Sequence, residues 1–195
     1  MKTVNVRVAT KKDLCYVKDV ELALQDAANG KGNGIAVRTA AYLTSKIEEG
    51  KAIIAVNQEE KWAGFCYIES WGHHKFVANS GLIVASDYRG MGLAGRIKLE
   101  ALKLSEKLFP GAKLFGLTTS LAVMKINSDL GYRPVTFSEL TTDEEFWKGC
   151  QSCPYYDILV RTQRRHCLCT GMLLDPAAAV KSEQVQGIKT TALSA

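Results

Sequence analysis

Val84 to Gly95 reads Val-Ala-Ser-Asp-Tyr-Arg-Gly-Met-Gly-Leu-Ala-Gly, with Gly90, Gly92 and Gly95 where an apolar extended run gives way to a helical one. Glycines at the mouth of a helix let backbone N–H groups converge on a bound anion, and the helix dipole adds favourable potential there. The segment therefore fits a diphosphate cradle. A plain strand-to-helix turn with capping glycines is the other reading, since short glycine motifs also match by chance. Cysteines form the second chemical group. Cys150-x-x-Cys153 and His166-Cys167-x-Cys169 could supply four thiolates to zinc, although the second pair is not a standard knuckle; reduced structural thiols are the alternative, and the metal assignment stays open. Cys15 and Cys66 fall on apolar patterns and are expected in the core.

These residues need elements to hold them. Val4, Val6 and Val8 alternate with polar residues as a strand does, and Thr10 offers an N-cap to a helix from about Lys11 to Ala28. Gly30 to Gly34 is the clearest breaker, and a second helix is expected from about Thr39 to Glu49. Lys51 to Asn57 and Trp62 to Trp71 form an expected hairpin, followed by a strand from about Phe76 to Val84 that turns back near His73 and His74. Leu93, Ile97, Ala101, Leu104 and Leu108 keep helical spacing up to Pro110-Gly111. Lys113 to Thr118 is strand-like and Leu121 to Leu130 helical, with extended segments expected at Arg133 to Phe137 and Tyr155 to Arg161. This order predicts an α+β fold, a central mixed sheet with helices on both faces, over residues 1–174, and a polar tail over 175–195 with too little apolar surface to order itself.

Composition narrows the classes. The 195 residues are 47% hydrophobic and 23% charged, an ordinary globular mix, and six cysteines are too sparse for a disulfide scaffold. No apolar run reaches the roughly 20 residues of a membrane helix, and the alternating start lacks the unbroken core of a signal peptide, so the chain reads as cytoplasmic. The net charge of +5 is scattered, which fits an anionic small ligand at least as well as DNA, and neither a nucleic-acid nor a membrane partner is expected.

The glycine segment resembles the acyl-CoA motif of the GNAT N-acyltransferases, an Arg or Gln followed by x-x-Gly-x-Gly/Ala, met here by Arg89, Gly92 and Ala94. The order of elements from about Val4 to Arg161 is also similar to that family, and Leu130-Gly131-Tyr132 resembles its Leu-Gly-Phe/Tyr signature. Three further stretches are similar to bacterial N-acetylglutamate synthases of the short, stand-alone kind: Val37-Arg38-Thr39 with Leu43, Ile47 and the strand after it; Leu117-Thr118 with Gly131-Tyr132 and Val135; and Phe146 to Pro154, which resembles a Trp-x-x-Cys-x-x-Cys-Pro signature.

The resemblance implies an acyl-CoA cosubstrate. Pantetheine would add to the backbone of Leu82, Ile83 and Val84 as an extra strand where the strand splays from its neighbour, and the pyrophosphate would rest on Gly90, Met91, Gly92, Leu93, Ala94 and Gly95 beside Arg89. Amine acylation needs a neutral amine, a donor for the developing oxyanion and a proton for the leaving thiolate. A backbone N–H around Leu82 is expected as the donor. Glu69, across the hairpin from Ala78 or Val77, is the candidate base; a solvated edge charge is the alternative. Asn127 stands where many family members carry a Tyr acid, so it could bind the CoA thiol or a pantetheine amide, with the proton coming from water, Tyr155 or Tyr156. Arg38 would read an acceptor carboxylate, with Ser80 and Thr118 as supporting hydroxyls. The implied function is acetyl or succinyl transfer to the α-amine of glutamate in arginine biosynthesis, with a homodimer left open. The rivals are transfer to another small amine or a protein N-terminus, and a non-catalytic CoA-binding module.

Overall fold

The computed structural model describes residues 3–30 and 35–178. Most of the glycine breaker at 31–34 and the tail beyond 178 lie outside them.

Seven strands form one sheet in the order β1-β2-β3-β4-β5-β7-β6. They are β1 (Val4–Val8), β2 (Ala52–Asn57), β3 (Trp62–Trp71), β4 (Phe76–Val84), β5 (Lys113–Thr118), β6 (Arg133–Val135) and β7 (Thr170–Leu174). The helices are α1 (Val17–Asn29), α2 (Ala40–Glu48), α3 (Leu93–Leu108), α4 (Leu121–Asp129), α5 (Glu144–Lys148) and α6 (Tyr156–Arg161). Alternation along the strands divides the core between two faces. On one face Ile53, Cys66, Ile68, Val77, Leu114 and Met172 meet the apolar stripe Leu93, Ile97, Ala101 and Leu104 of α3. On the other, Ile54, Phe65 and Tyr67 lie under Val20 and Leu24 of α1 and Leu43 and Ile47 of α2. Farther along that second face, Ala78, Phe115 and Leu173 lie under Trp147 and Leu159 of α5 and α6. The second face thus carries two separate helical covers, with room between them.

Two expectations are corrected. Tyr155 to Arg161 is not extended: turns bonded from Cys153 N–H to Cys150 and from Tyr156 N–H to Cys153 wind the chain into α6, which buries Leu159. Burying one side chain against Phe137 and Trp147 overrides the β propensity of Ile158 and Val160. The last strand is instead β7, inserted antiparallel between β5 and β6. Cys15 is exposed, because Lys11–Tyr16 forms a 3-10 turn whose tighter period swings it outward, and its thiol donates to the Lys12 carbonyl at 3.4 Å.

That turn is tied to β1. Asp13 is 2% exposed and accepts from both Arg7 Nη atoms at 2.7 Å, and from the Thr10 backbone N–H at 2.7 Å. The Arg7 hydrogen bonds hold its carboxyl below the usual carboxylate range. A depressed folded-state pKa supplies stability that is present above the unfolded value of about 3.9 and lost as pH falls through the folded value. Asp13→Asn should therefore lower Tm at pH 7, and the gap to wild type should close as melts are repeated below about pH 4.

Candidate functional site

A cleft of about 660 Å³ opens on the second face, between the α1–α2 cover and the α5–α6 cover. Its floor is set by strand pairing. β4 and β5 run parallel and pair only from Phe76–Lys113 to Ala78–Phe115. Beyond that point Asn79 to Leu82 line one side of the cleft and Gly116 to Ser120 the other. β4 also carries a bulge: Phe65 lies across from Ile83 and Tyr67 from Ser80, so Gly81 and Leu82 together oppose Cys66. Gly81 has φ +65°, and a Cβ there would come within 2.5 Å of the Tyr67 ring. Only glycine fits this turn of the strand, which leaves the β4 backbone from Leu82 onward beside the cleft without β5 as a partner.

One wall comes from the loop before α2 and from α2 itself. Arg38 donates from Nε to Tyr67 Oη at 2.8 Å, and its guanidinium lies 5.4 Å from the centre of the Tyr42 ring. Its charge interacts with Glu69, but Glu69 is already engaged: Oε2 accepts from Tyr42 Oη and Oε1 from Lys46 Nζ, each at 2.5 Å. Burial pushes the Tyr42 phenol far up, so it stays a donor at every ordinary pH. Glu69 pairs across the hairpin with Ala78 and, like Arg38, lines the cleft. Tyr42, Lys46 and Tyr67 are not among the residues that the sequence singles out, although Tyr42 and Lys46 stand four apart, on one face of α2.

The remaining candidates fall into groups. Ser80 and Thr118 line the cleft from the two parted strands, with Thr118 Oγ1 accepting from Ser120 N–H at 3.0 Å. Asn127, on α4, lines it too; it is 1% exposed and its Oδ1 has no partner among the described residues. Leu82 lies at the cleft, and Ile83 and Val84 carry β4 on toward the glycine segment, which stands beyond the cleft's lining. There Gly90 and Gly92 take φ +73° and +72°, with nothing within 4 Å of where a Cβ would sit. Gly92 caps α3 without a side-chain partner, so the first-turn amides of Leu93, Ala94 and Gly95 face outward from an open helix end. Tyr88, in the core with its Oη accepting from Asn57 Nδ2 at 2.9 Å, anchors the segment, and Arg89 Nε donates to the Val84 carbonyl at 3.2 Å. Met91 is exposed.

His73 and His74 occupy the β3–β4 turn at positive φ, outside the cleft's lining, and His74 stacks on Phe109. Tyr155, Tyr156, Cys150, Cys153, Cys167 and Cys169 all line the α5–α6 wall. Burial raises the Cys150 thiol to about 11 and the Cys169 thiol to about 12, which keeps both protonated at neutral pH, and among the described residues no group of three or more His, Cys, Asp or Glu could hold a metal. No helix of the described residues is long and apolar enough to cross a membrane.

No protein-family model matches the sequence, and no curated protein matches it. Solved structures do. An N-acetylglutamate synthase from Neisseria gonorrhoeae, complexed with coenzyme A and N-acetyl-glutamate, is similar at 16% identity and TM-score 0.63 over 90% of this chain. This chain spans 35% of that one, about a third of its length. Rv2747 from Mycobacterium tuberculosis, complexed with CoA, is similar at 16% identity and TM-score 0.63, covering 88% of this chain and 98% of that one. A GNAT superfamily phosphinothricin acetyltransferase from Sinorhizobium meliloti, in complex with AcCoA, is similar at 12% identity and TM-score 0.61, covering 89% of this chain and 88% of that one. Likeness at these identities establishes the fold: the sheet and its helices have the GNAT acetyltransferase arrangement.

Proposed function

We propose that this chain, with its GNAT acetyltransferase fold, is an acyl-CoA-dependent N-acyltransferase whose acceptor is an acidic amino acid, with glutamate the best fit. One observation carries the reading: the edge of β4 that faces away from β3 has no β5 partner from Asn79 onward, and it runs from the bulge at Gly81 and Leu82, beside the cleft, to an open helix end built from glycines. Pantetheine fits the first part as an added strand along Leu82, Ile83 and Val84, and a pyrophosphate fits the second, over Gly90 to Gly95 and beside Arg89. The unpartnered Asn127 Oδ1 suits a pantetheine amide N–H.

At the bulge, a backbone N–H near Leu82 would meet the oxyanion of a thioester attacked from the cleft. Arg38 offers the guanidinium for a substrate carboxylate, with no carboxylate salt-bridged to it among the described residues, while Ser80 and Thr118 add hydroxyls. Glu69 receives the amine's proton, directly or through water. Transfer is direct: the amine nitrogen bonds to the acyl carbon, the C–S bond breaks, and CoA leaves as its thiol. Acetyl is the expected group and succinyl the alternative. The same arrangement would serve another amine acceptor, and a panel of amines separates that case. Arginine biosynthesis and a cytoplasmic setting follow from the glutamate reading and are tested with it.

The glycine turn gives the first test. Gly92→Val places a branched side chain at φ +72°, in open space where the pyrophosphate would lie. Calorimetry should show acetyl-CoA affinity weakened at least tenfold, about 1.4 kcal/mol, with the fold retained. Unchanged affinity would take the glycine segment out of the site.

A further inference from the structure

Lys46 and Lys98 are both buried, and their surroundings differ. Lys46 has the Glu69 carboxylate. Lys98, 2% exposed, has no carboxylate salt-bridged to it among the described residues; its Nζ donates to Asn79 Oδ1 at 3.2 Å and lies 5.4 Å from the centre of the Tyr132 ring. Ionising a buried lysine without a counter-charge is costly, and a negative charge that develops in the cleft would be the partner it lacks.

Geometry shows where that anion could come from. Lys98 belongs to α3, which packs on the face of the sheet opposite the cleft, yet it lines the cleft. It reaches the cleft where β4 and β5 part, together with Asn79 of β4 and Asn127 of α4. Asn127 Oδ1 is buried at the same cleft with no partner among the described residues. Where the strands separate, beside the stretch of β4 assigned above to pantetheine, there thus stand a lysine without a salt-bridged carboxylate and an amide oxygen without a hydrogen-bond partner among the described residues.

We infer that Lys98 is the acid that protonates the leaving thiolate of CoA, a role resting on the acyltransferase reading. As the amine nitrogen bonds to the acyl carbon, the C–S bond breaks with its electron pair going to sulfur. A proton passes from Lys98 Nζ to that sulfur, leaving neutral CoA thiol and a neutral Lys98 amine that solvent reprotonates. Burial lowers the lysine's pKa, which makes its proton easier to give up, and Cys66 of β3 opposes the shift. The other groups facing Nζ are Asn79 from β4, neutral, and Tyr132 after α4, whose phenol burial and the charge of Glu106 hold protonated.

The test reads the bound thiol itself. The thiolate ultraviolet band of the CoA complex is titrated, with the desulfo-CoA complex subtracted to remove the protein's own cysteines. The wild type should ionise the bound thiol at least one pH unit lower than Lys98→Met, and Lys98→Met should lose roughly 100-fold in kcat with CoA affinity held within about threefold. Lys98→Arg, which keeps the charge but cannot give up its proton, should hold the thiol titration near wild type and still lose the rate. If Lys98→Met does not fold, the wild type decides: kcat should fall at alkaline pH as Lys98 deprotonates, and a flat alkaline plateau overturns the role. Identical thiol titrations and undiminished kcat in Lys98→Met overturn it as well, returning the acid to Tyr155, Tyr156 or water. A wild type that binds no CoA instead overturns the acyltransferase reading, and the Lys98 role falls with it.

Discussion

Glu69→Gln should lower kcat at pH 7 by roughly 100-fold or more, with the gap to the wild type at the same pH narrowing as pH rises. The substitution keeps the shape of the side chain and the acceptance from Tyr42 but removes the basicity. An amino-acid α-amine is mostly protonated at neutral pH, so raising the pH supplies the free nucleophile that the variant cannot make. Stability must be read beside rate, because Glu69 is also the counter-charge of Lys46, whose side chain is 8% exposed. Leaving that ammonium unpaired should cost on the order of 3 kcal/mol. The double variant Lys46→Met/Glu69→Gln removes both charges, so it should recover Tm without recovering kcat. If it recovers both, Glu69 is structural, and a wild-type pH profile in Glu69→Gln would remove the carboxylate from the chemistry.

Arg38→Ala carries the second large effect. Losing a charge-assisted hydrogen bond of about 1.5 to 3 kcal/mol should raise the KM for glutamate roughly 10- to 150-fold, while the KM for acetyl-CoA stays close to wild type. The guanidinium is aimed by its bond to Tyr67 Oη, so Tyr67→Phe should give a weaker version of the same change. Equal losses for both substrates would mean that Arg38 organises the wall of the cleft and does not read the acceptor.

Long periodic segments were legible in the sequence because one physical requirement dominates them. The stripe Leu93, Ile97, Ala101 and Leu104 reads as helical, and it packs as α3 on the sheet. The β2–β3 hairpin and the strand after it were equally plain. Tyr155 to Arg161 was not, because its residues have strand propensity and only the burial of Leu159 against Phe137 and Trp147 makes them helical. β7 carries little local signal, because Thr170-Gly171-Met172-Leu173-Leu174 is a five-residue run without alternation. Within the site, the glycine segment and Arg38 announce themselves by residue type, whereas Lys98 gives no such signal: a lysine on an amphipathic helix reads as solvent-facing. Its burial follows from where β4 and β5 separate, a tertiary fact with no local trace. The bulge is similar, since Gly81 reads as an ordinary strand glycine until Tyr67 is placed against it.

The most direct measurement is thiol release from acetyl-CoA by the purified chain, followed with a panel of glutamate, aspartate, glutamine, a polyamine and a peptide amine. The predicted result is CoA thiol appearing in step with N-acetylated product, fastest with glutamate, and losing that preference in Arg38→Ala. Acetyl-CoA binding with no thiol released from any amine would contradict the account, leaving a CoA-binding module where an enzyme has been proposed.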